Sequence, residues 1–83
     1  MWLAQVHVTL KPVVNDPQGL TIRDGLHNLG FTGVRAVRAG KYLEIALDAA
    51  DRAAAEQAVR DMCTRLLANM VIEDYRFDLT EQQ

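Results

Sequence analysis

The chain has 83 residues, 49 % of them hydrophobic and 24 % charged, with a formal charge of -2 at pH 7 and a pI near 5.5. That supports one core in a single domain over residues 1–83, and only narrowly, because a domain of roughly 60 residues hides only about 60 % of its unfolded surface. Nine Lys and Arg against eleven Asp and Glu give no concentrated basic face, which excludes a nucleic-acid surface built on counterion release.

No apolar run approaches the roughly 20 residues of a membrane helix, and Met1-Trp2-Leu3-Ala4-Gln5 lacks the basic segment and apolar stretch of a signal peptide. A cytoplasmic protein is expected. Cys63 is the only cysteine, and His7 and His27 have no metal-ligand spacing. A small fold without disulfide or metal gains stability by associating, so an oligomer is expected.

In chain order, Leu3 to Lys11 alternates, with Ala4, Val6, Val8 and Leu10 on one face and Gln5, His7 and Thr9 on the other, which predicts a half-buried strand. Asp16-Pro17 reads as N-cap and first residue of a helix running to about Leu29. Ile22, Leu26 and Leu29 form its apolar stripe, Gly30 its left-handed stop, and Phe31 packs back over the last turn. Residues 33–38 predict a second strand, and 41–48 a third, joined as a hairpin turning at Gly40.

A second helix starts at Asp48 or Asp51 and ends near Ala68-Asn69, where Asn69 can take the left-handed cap. Ala55, Val59, Met62, Cys63 and Leu66 share its apolar face. Val71 to Leu79 predicts the last strand, and residues 80–83 a frayed tail. The order βαββαβ is the ferredoxin-like α+β pattern, with both helices on one face of an antiparallel four-stranded sheet. The other face, with Gln5, His7, Thr9, Tyr42 and Glu44, is mixed in character, so sheet faces or edges are expected to pair between subunits.

This fold hosts many functions, so function has to be argued from sites. The loop Lys11-Pro12-Val13-Val14-Asn15 holds no sulfur for a metal chaperone, and Tyr42 alone offers no stacking platform for RNA. Cys63 beside His27 could form a nucleophile and base, but Cys63 flanks the apolar stripe as a small core hydrophobe. His7, on the polar side of a strand, reads as a surface or interface histidine. Glu73 and Asp74 alternate faces and cannot jointly flank a substrate. No catalytic, cofactor-binding or metal-binding residue is assigned. An acylphosphatase-like enzyme is weakened because no basic phosphate-cradling loop precedes the first helix. A regulatory domain of the ACT type, binding small molecules between subunits, shares the strand order, but wants a glycine-rich loop where Pro12-Val13-Val14-Asn15-Asp16-Pro17 stands.

Three stretches stand out: Leu10 to Gly19, Val37-Arg38-Ala39-Gly40-Lys41, and Leu66 to Tyr75. They resemble the PurS family, whose members carry T/L-K-x-x-V-x-D-P-Q-G, then L-G-F, V-R-x-G-K and C-x-x-L-L-A-N-P-V-I-E-D-Y. Ala39 stands where a larger β-branched residue is frequent, and Met70 where Pro is frequent. Asp16, Pro17, Gly30, Gly40 and Asn69 have backbone roles as caps and turns. Lys11, Gln18, Arg38, Lys41 and Glu73 have none, and are the candidate partner interface, with Arg38 and Lys41 expected to form a compact cationic tip.

The resemblance implies a non-catalytic small subunit of phosphoribosylformylglycinamidine synthase in purine biosynthesis, assembling as a dimer or tetramer. It implies bridging of a glutaminase subunit, PurQ, and an ATP-dependent synthetase subunit, PurL, and a part in shaping the path of ammonia between them. ATP and Mg would serve the complex, with no cofactor in this subunit.

Overall fold

The computed structural model describes residues 1–82. Alternation over the first ten residues forms strand β1 (Trp2–Leu10), whose Trp2, Ala4, Val6 and Val8 are buried while Gln5 and His7 are half-buried on the other face. β1 is the central strand. β2 (Gly40–Leu47) lies antiparallel along one edge and β3 (Glu73–Glu81) along the other, so Val6 has Leu43 on one side and Phe77 on the other.

Helix α1 (Pro17–Asn28) starts as its sequence dictates: the Asp16 carboxylate accepts from the Gly19 amide at 3.0 Å, and Pro17 occupies the first turn. It stops at Gly30, the only residue with positive φ among those described, at 101°. There the Gly30 amide donates to His27 O and the Phe31 amide to Leu26 O, the paired bonds of a Schellman stop. Phe31 does not close over that turn into a buried staple; it is 59 % exposed.

Helix α2 (Arg52–Met62) is capped by the Asp51 carboxylate, which accepts from the Ala54 amide at 2.8 Å. Its Ala55 and Val59, followed by Cys63, are buried against the sheet with Val6, Val8 and Leu79. Arg52 and Arg60 lay their guanidinium groups 5.9 Å from the ring centroids of Trp2 and Phe77, so the polar flank also covers aromatic surface.

Four expectations are corrected. First, the sheet has three strands, in the order β2-β1-β3, where four were expected. Residues 34–39 carry no ladder and enter β2 without a turn, and Gly40 is needed for another reason: a Cβ there would lie 2.3 Å from Val8 O on the neighbouring strand. Second, only one helix covers the sheet, since α1 contributes no residue to the core cluster.

Third, the end of α2 widens into a π turn (Cys63–Leu67), closed by the Ala68 amide donating to Cys63 O at 2.9 Å. The extra residue per turn rotates Leu66 outward, to 83 % exposure, and brings Leu67 against the core in its place. Ala68 then goes extended, and Asn69 takes no left-handed cap; its side-chain oxygen instead accepts from the Val71 amide at 3.1 Å. Fourth, Thr80 and Glu81 are paired strand, opposite Leu3 and Trp2, and the Gln82 amide donates to Met1 O. The expected frayed tail is therefore ordered through 82, and Gln83 lies outside the described residues.

Candidate functional site

At the end of the sheet where Thr9 faces Gly40 and Leu10 faces Glu73, three loops meet. The first is residues 11–16, the second 37–39, the third 68–72. The Lys11 amide donates to Ile72 O at 2.8 Å, joining first and third. The Asp16 carboxylate joins first and second: one oxygen caps α1, and the other accepts from the Ala39 amide at 2.8 Å. Those two amides, with the nearby Arg38 charge, hold the Asp16 carboxyl below its ordinary value, the Ala39 bond contributing most. Gly19 permits the join, because a Cβ there would lie 2.1 Å from Val37 O.

The residues proposed from the sequence as interface candidates mostly gather here, with their polar heads turned onto the protein's own backbone. Arg38 donates to Leu10 O at 3.2 Å, Lys11 O at 2.7 Å and Val14 O at 3.1 Å, gathering the whole first loop around one guanidinium. Lys41 donates to Leu67 O at 2.9 Å, tying the start of β2 to the π turn. Glu73 accepts from the Asn69 amide at 2.8 Å and closes the third loop on itself. Lys11 pairs with Asp74 at 2.7 Å at the end of the β1–β3 ladder, an exposed ion pair worth only about 0–1 kcal/mol. Gln18 stands apart, exposed on the first turn of α1. No free cationic tip is built from Arg38 and Lys41, since both heads are spent on carbonyls.

Around this clasp, Val13, Val71, Met70 and Ile72 are exposed, Val13 at 93 % and Val71 at 82 %. An open cleft of about 380 Å³ runs between Thr9, Leu10, Pro12, Arg38 and Asp74. The arrangement is a hydrogen-bonded end whose exposed tips are apolar. Sequence reasoning had missed Gly19 and the second bond of Asp16. A glycine in the first turn of a helix, where propensity disfavours it, was the available signal.

Nothing in this geometry assembles a nucleophile with a base. His27 is engaged with Val34 O at 2.6 Å, and Cys63 lies in the core, where burial pushes its thiol up. Among the described residues no group of His, Cys, Asp or Glu could hold a metal ion, and no helix is long and apolar enough to cross a membrane.

A family model for PurS, phosphoribosylformylglycinamidine (FGAM) synthase, matches residues 3–81. The chain belongs to the PurS family. The PurS subunit of phosphoribosylformylglycinamidine synthase from Synechocystis is 50 % identical over 76 residues, covering 92 % of this chain and 76 % of that protein. The Bacillus subtilis PurS subunit is 43 % identical over 81 residues, covering 98 % and 95 %.

Solved PurS structures share the fold. Crystalline B. subtilis PurS matches with a TM-score of 0.88 over 98 % of this chain and 100 % of that one. PurS of Methanocaldococcus jannaschii, described as one of the subunits of formylglycinamide ribonucleotide amidotransferase in the purine biosynthetic pathway, matches at 0.90, with 35 % identity and both chains fully covered. A chain of PurLQS from Thermotoga maritima matches at 0.85 with 27 % identity, over 96 % and 99 %. PurS membership and the two-helix, antiparallel-sheet architecture therefore hold, with three strands per chain.

Proposed function

We propose that this PurS family chain is a non-catalytic subunit of phosphoribosylformylglycinamidine synthase in purine biosynthesis, holding a PurL-type synthetase and a PurQ-type glutaminase together. The likeness to a chain of PurLQS supports the complex-subunit role. The observation that carries the docking role is the three-loop clasp, where Arg38, Lys41 and Glu73 fix backbone that displays Val13 and Val71 to solvent. Apolar tips on a rigid base lose little conformational entropy on docking, so a small contact can hold. Lys11, Arg38, Lys41 and Glu73 act by shaping this end, and Gln18 by direct contact from α1.

The ATP and Mg chemistry belongs to the larger subunits, the assembly works in the cytoplasm, and the bridge helps ammonia pass between them. The chain acts as a dimer or higher oligomer. Its radius of gyration, 16.3 Å, exceeds the roughly 12 Å of a compact chain this long, and α1 leaves apolar side chains uncovered.

The test is glutamine-dependent amidation by purified PurL and PurQ, with and without this chain, beside the Arg38→Ala, Lys41→Ala variant. Activity that needs the chain, and a folded variant that restores less, supports both the bridge and the clasp. Full activity without the chain overturns the proposal.

A further inference from the structure

Along α1, Gly19, Arg23 and His27 recur at every fourth position and share one face. Both ends of that face are bound to residues 34–39. Gly19 brings the helix so near that a Cβ would meet Val37 O, Asp16 beside it accepts from the Ala39 amide, and His27 holds Val34 O at 2.6 Å. Between these ties the helix and the segment leave a cavity of about 110 Å³, whose lining includes Arg23 and Arg38 with Asn15, Asp16, Ala36 and Val37.

Arg23 is out of place there unless something fills the space. Its side chain is 34 % exposed and its Nη2 meets the Asp24 carboxylate at 3.3 Å, yet its Nε is buried. Among the described residues it is the one buried side-chain nitrogen or oxygen with no hydrogen-bond partner. A donor of a charged group taken out of water without an acceptor is costly, and buried polar groups are otherwise almost always paired. Covering this turn of the helix does not require it. A lysine would carry its head out to solvent, and a leucine or methionine would pack with no donor to bury.

The rest of the lining favours an acceptor of negative charge. Arg38 makes its three bonds to carbonyls through Nη1 and Nη2, so its Nε–H is committed to none of them. Asn15 adds an exposed side-chain amide. The Asp16 carboxylate also borders the cavity, but one oxygen is held by the Gly19 amide and the other by the Ala39 amide. Two guanidinium groups therefore stand against one carboxylate that is already satisfied. The space holds a few water molecules or one small ion, well below the roughly 300–1,000 Å³ of pockets that enclose drug-sized molecules.

The geometry points to an anion site: a small tetrahedral oxyanion of the phosphate class accepts from Arg23 Nε and Arg38 Nε, joining α1 to residues 36–38 where the chain's own hydrogen bonds do not. Charge-assisted bonds of this kind are the strong ones, and guanidinium edges suit phosphate oxygens.

The test is a titration of the full chain with inorganic phosphate at fixed ionic strength, chloride being the balancing anion, followed by nitrogen–proton correlation spectra. Saturable shifts of the Arg23 Nε–H signal and of the amides of residues 36–38 are expected. Arg23→Met, which keeps an unbranched stem and removes the guanidinium, should bind phosphate at least tenfold more weakly. Shifts that grow without saturating, or that the folded variant reproduces at the same concentrations, overturn the site and leave the Nε to water. If the variant does not fold, the wild-type Nε–H signal decides alone: saturable movement upholds the site, and a signal that phosphate leaves in place overturns it.

Discussion

A methyl group at position 19 would meet the carbonyl of Val37 at 2.1 Å, while one at position 25, on the same helix, would meet nothing within 4 Å. Alanine raises helix propensity equally at both, by up to about 1 kcal/mol, so the backbone clash decides the sign. Gly25→Ala should stabilise by about 0.5–1 kcal/mol, and Gly19→Ala should destabilise by about 1–3 kcal/mol, read as opposite shifts in the urea midpoint at one protein concentration. Equal shifts would mean that the crossing of α1 over residues 37–39 does not constrain the fold. Asp16, which shares that crossing, has a folded-state pKa below its ordinary value of 3.8 because the Ala39 and Gly19 amides favour the carboxylate. Its stabilisation is therefore complete above the unfolded pKa and disappears as pH falls through the folded one. Denaturation of wild type and Asp16→Asn from pH 6 downward should show a gap in favour of wild type that narrows below about pH 4. A constant gap would sink the assignment.

Elements were legible where local chemistry decides them. Asp16-Pro17 and Gly30 marked α1 because caps and stops are local, and β1 showed itself by alternation. The π turn was not legible. A period of 3.6 puts Leu66 on the face of Ala55, Val59 and Cys63, and no residue in Cys63-Thr64-Arg65-Leu66-Leu67 announces the wider turn; the tie from Lys41 to Leu67 O, which spans 26 positions, is visible only after folding. The hairpin at Gly40 failed for a similar reason: a glycine between two apolar stretches reads as a turn, while here it lets β1 and β2 approach. The clasp itself was half legible, since its members stood out as polar residues without a backbone duty, but the carbonyls they hold lie in other loops. The π turn reverses the expected cost of two neighbouring truncations. Leu67→Ala should lose about 1–3 kcal/mol, below the range for a fully buried leucine because Leu67 is half-buried, and Leu66→Ala should stay within about 0.5 kcal/mol. Thermal unfolding of the two variants checks this, and the opposite order would restore a regular helix through residue 67.

At the scale of the molecule, charged residues of the three-loop end hold its backbone and apolar tips face outward, and in the proposed bridging role those tips are the surface that meets a partner. A subunit of this kind raises the local concentration of one partner beside the other, and its effect has a signature no catalyst or simple activator gives. At low concentration, each added copy completes an assembly. In excess, separate copies occupy PurL-type and PurQ-type subunits individually, and fewer assemblies hold both. Glutamine-dependent amidation at fixed levels of the two larger subunits should therefore rise and then fall as this chain is titrated, while amidation driven by free ammonia, which needs no glutaminase, should show no descending limb. Broken Val13 and Val71 tips, as in Val13→Asp with Val71→Asp, should move the rising limb at least tenfold to higher concentration without altering the unfolding midpoint, because both side chains are exposed in the isolated chain. A curve that saturates without falling would make the chain an activator of one subunit, and an unmoved rising limb would take the three-loop end out of the contact.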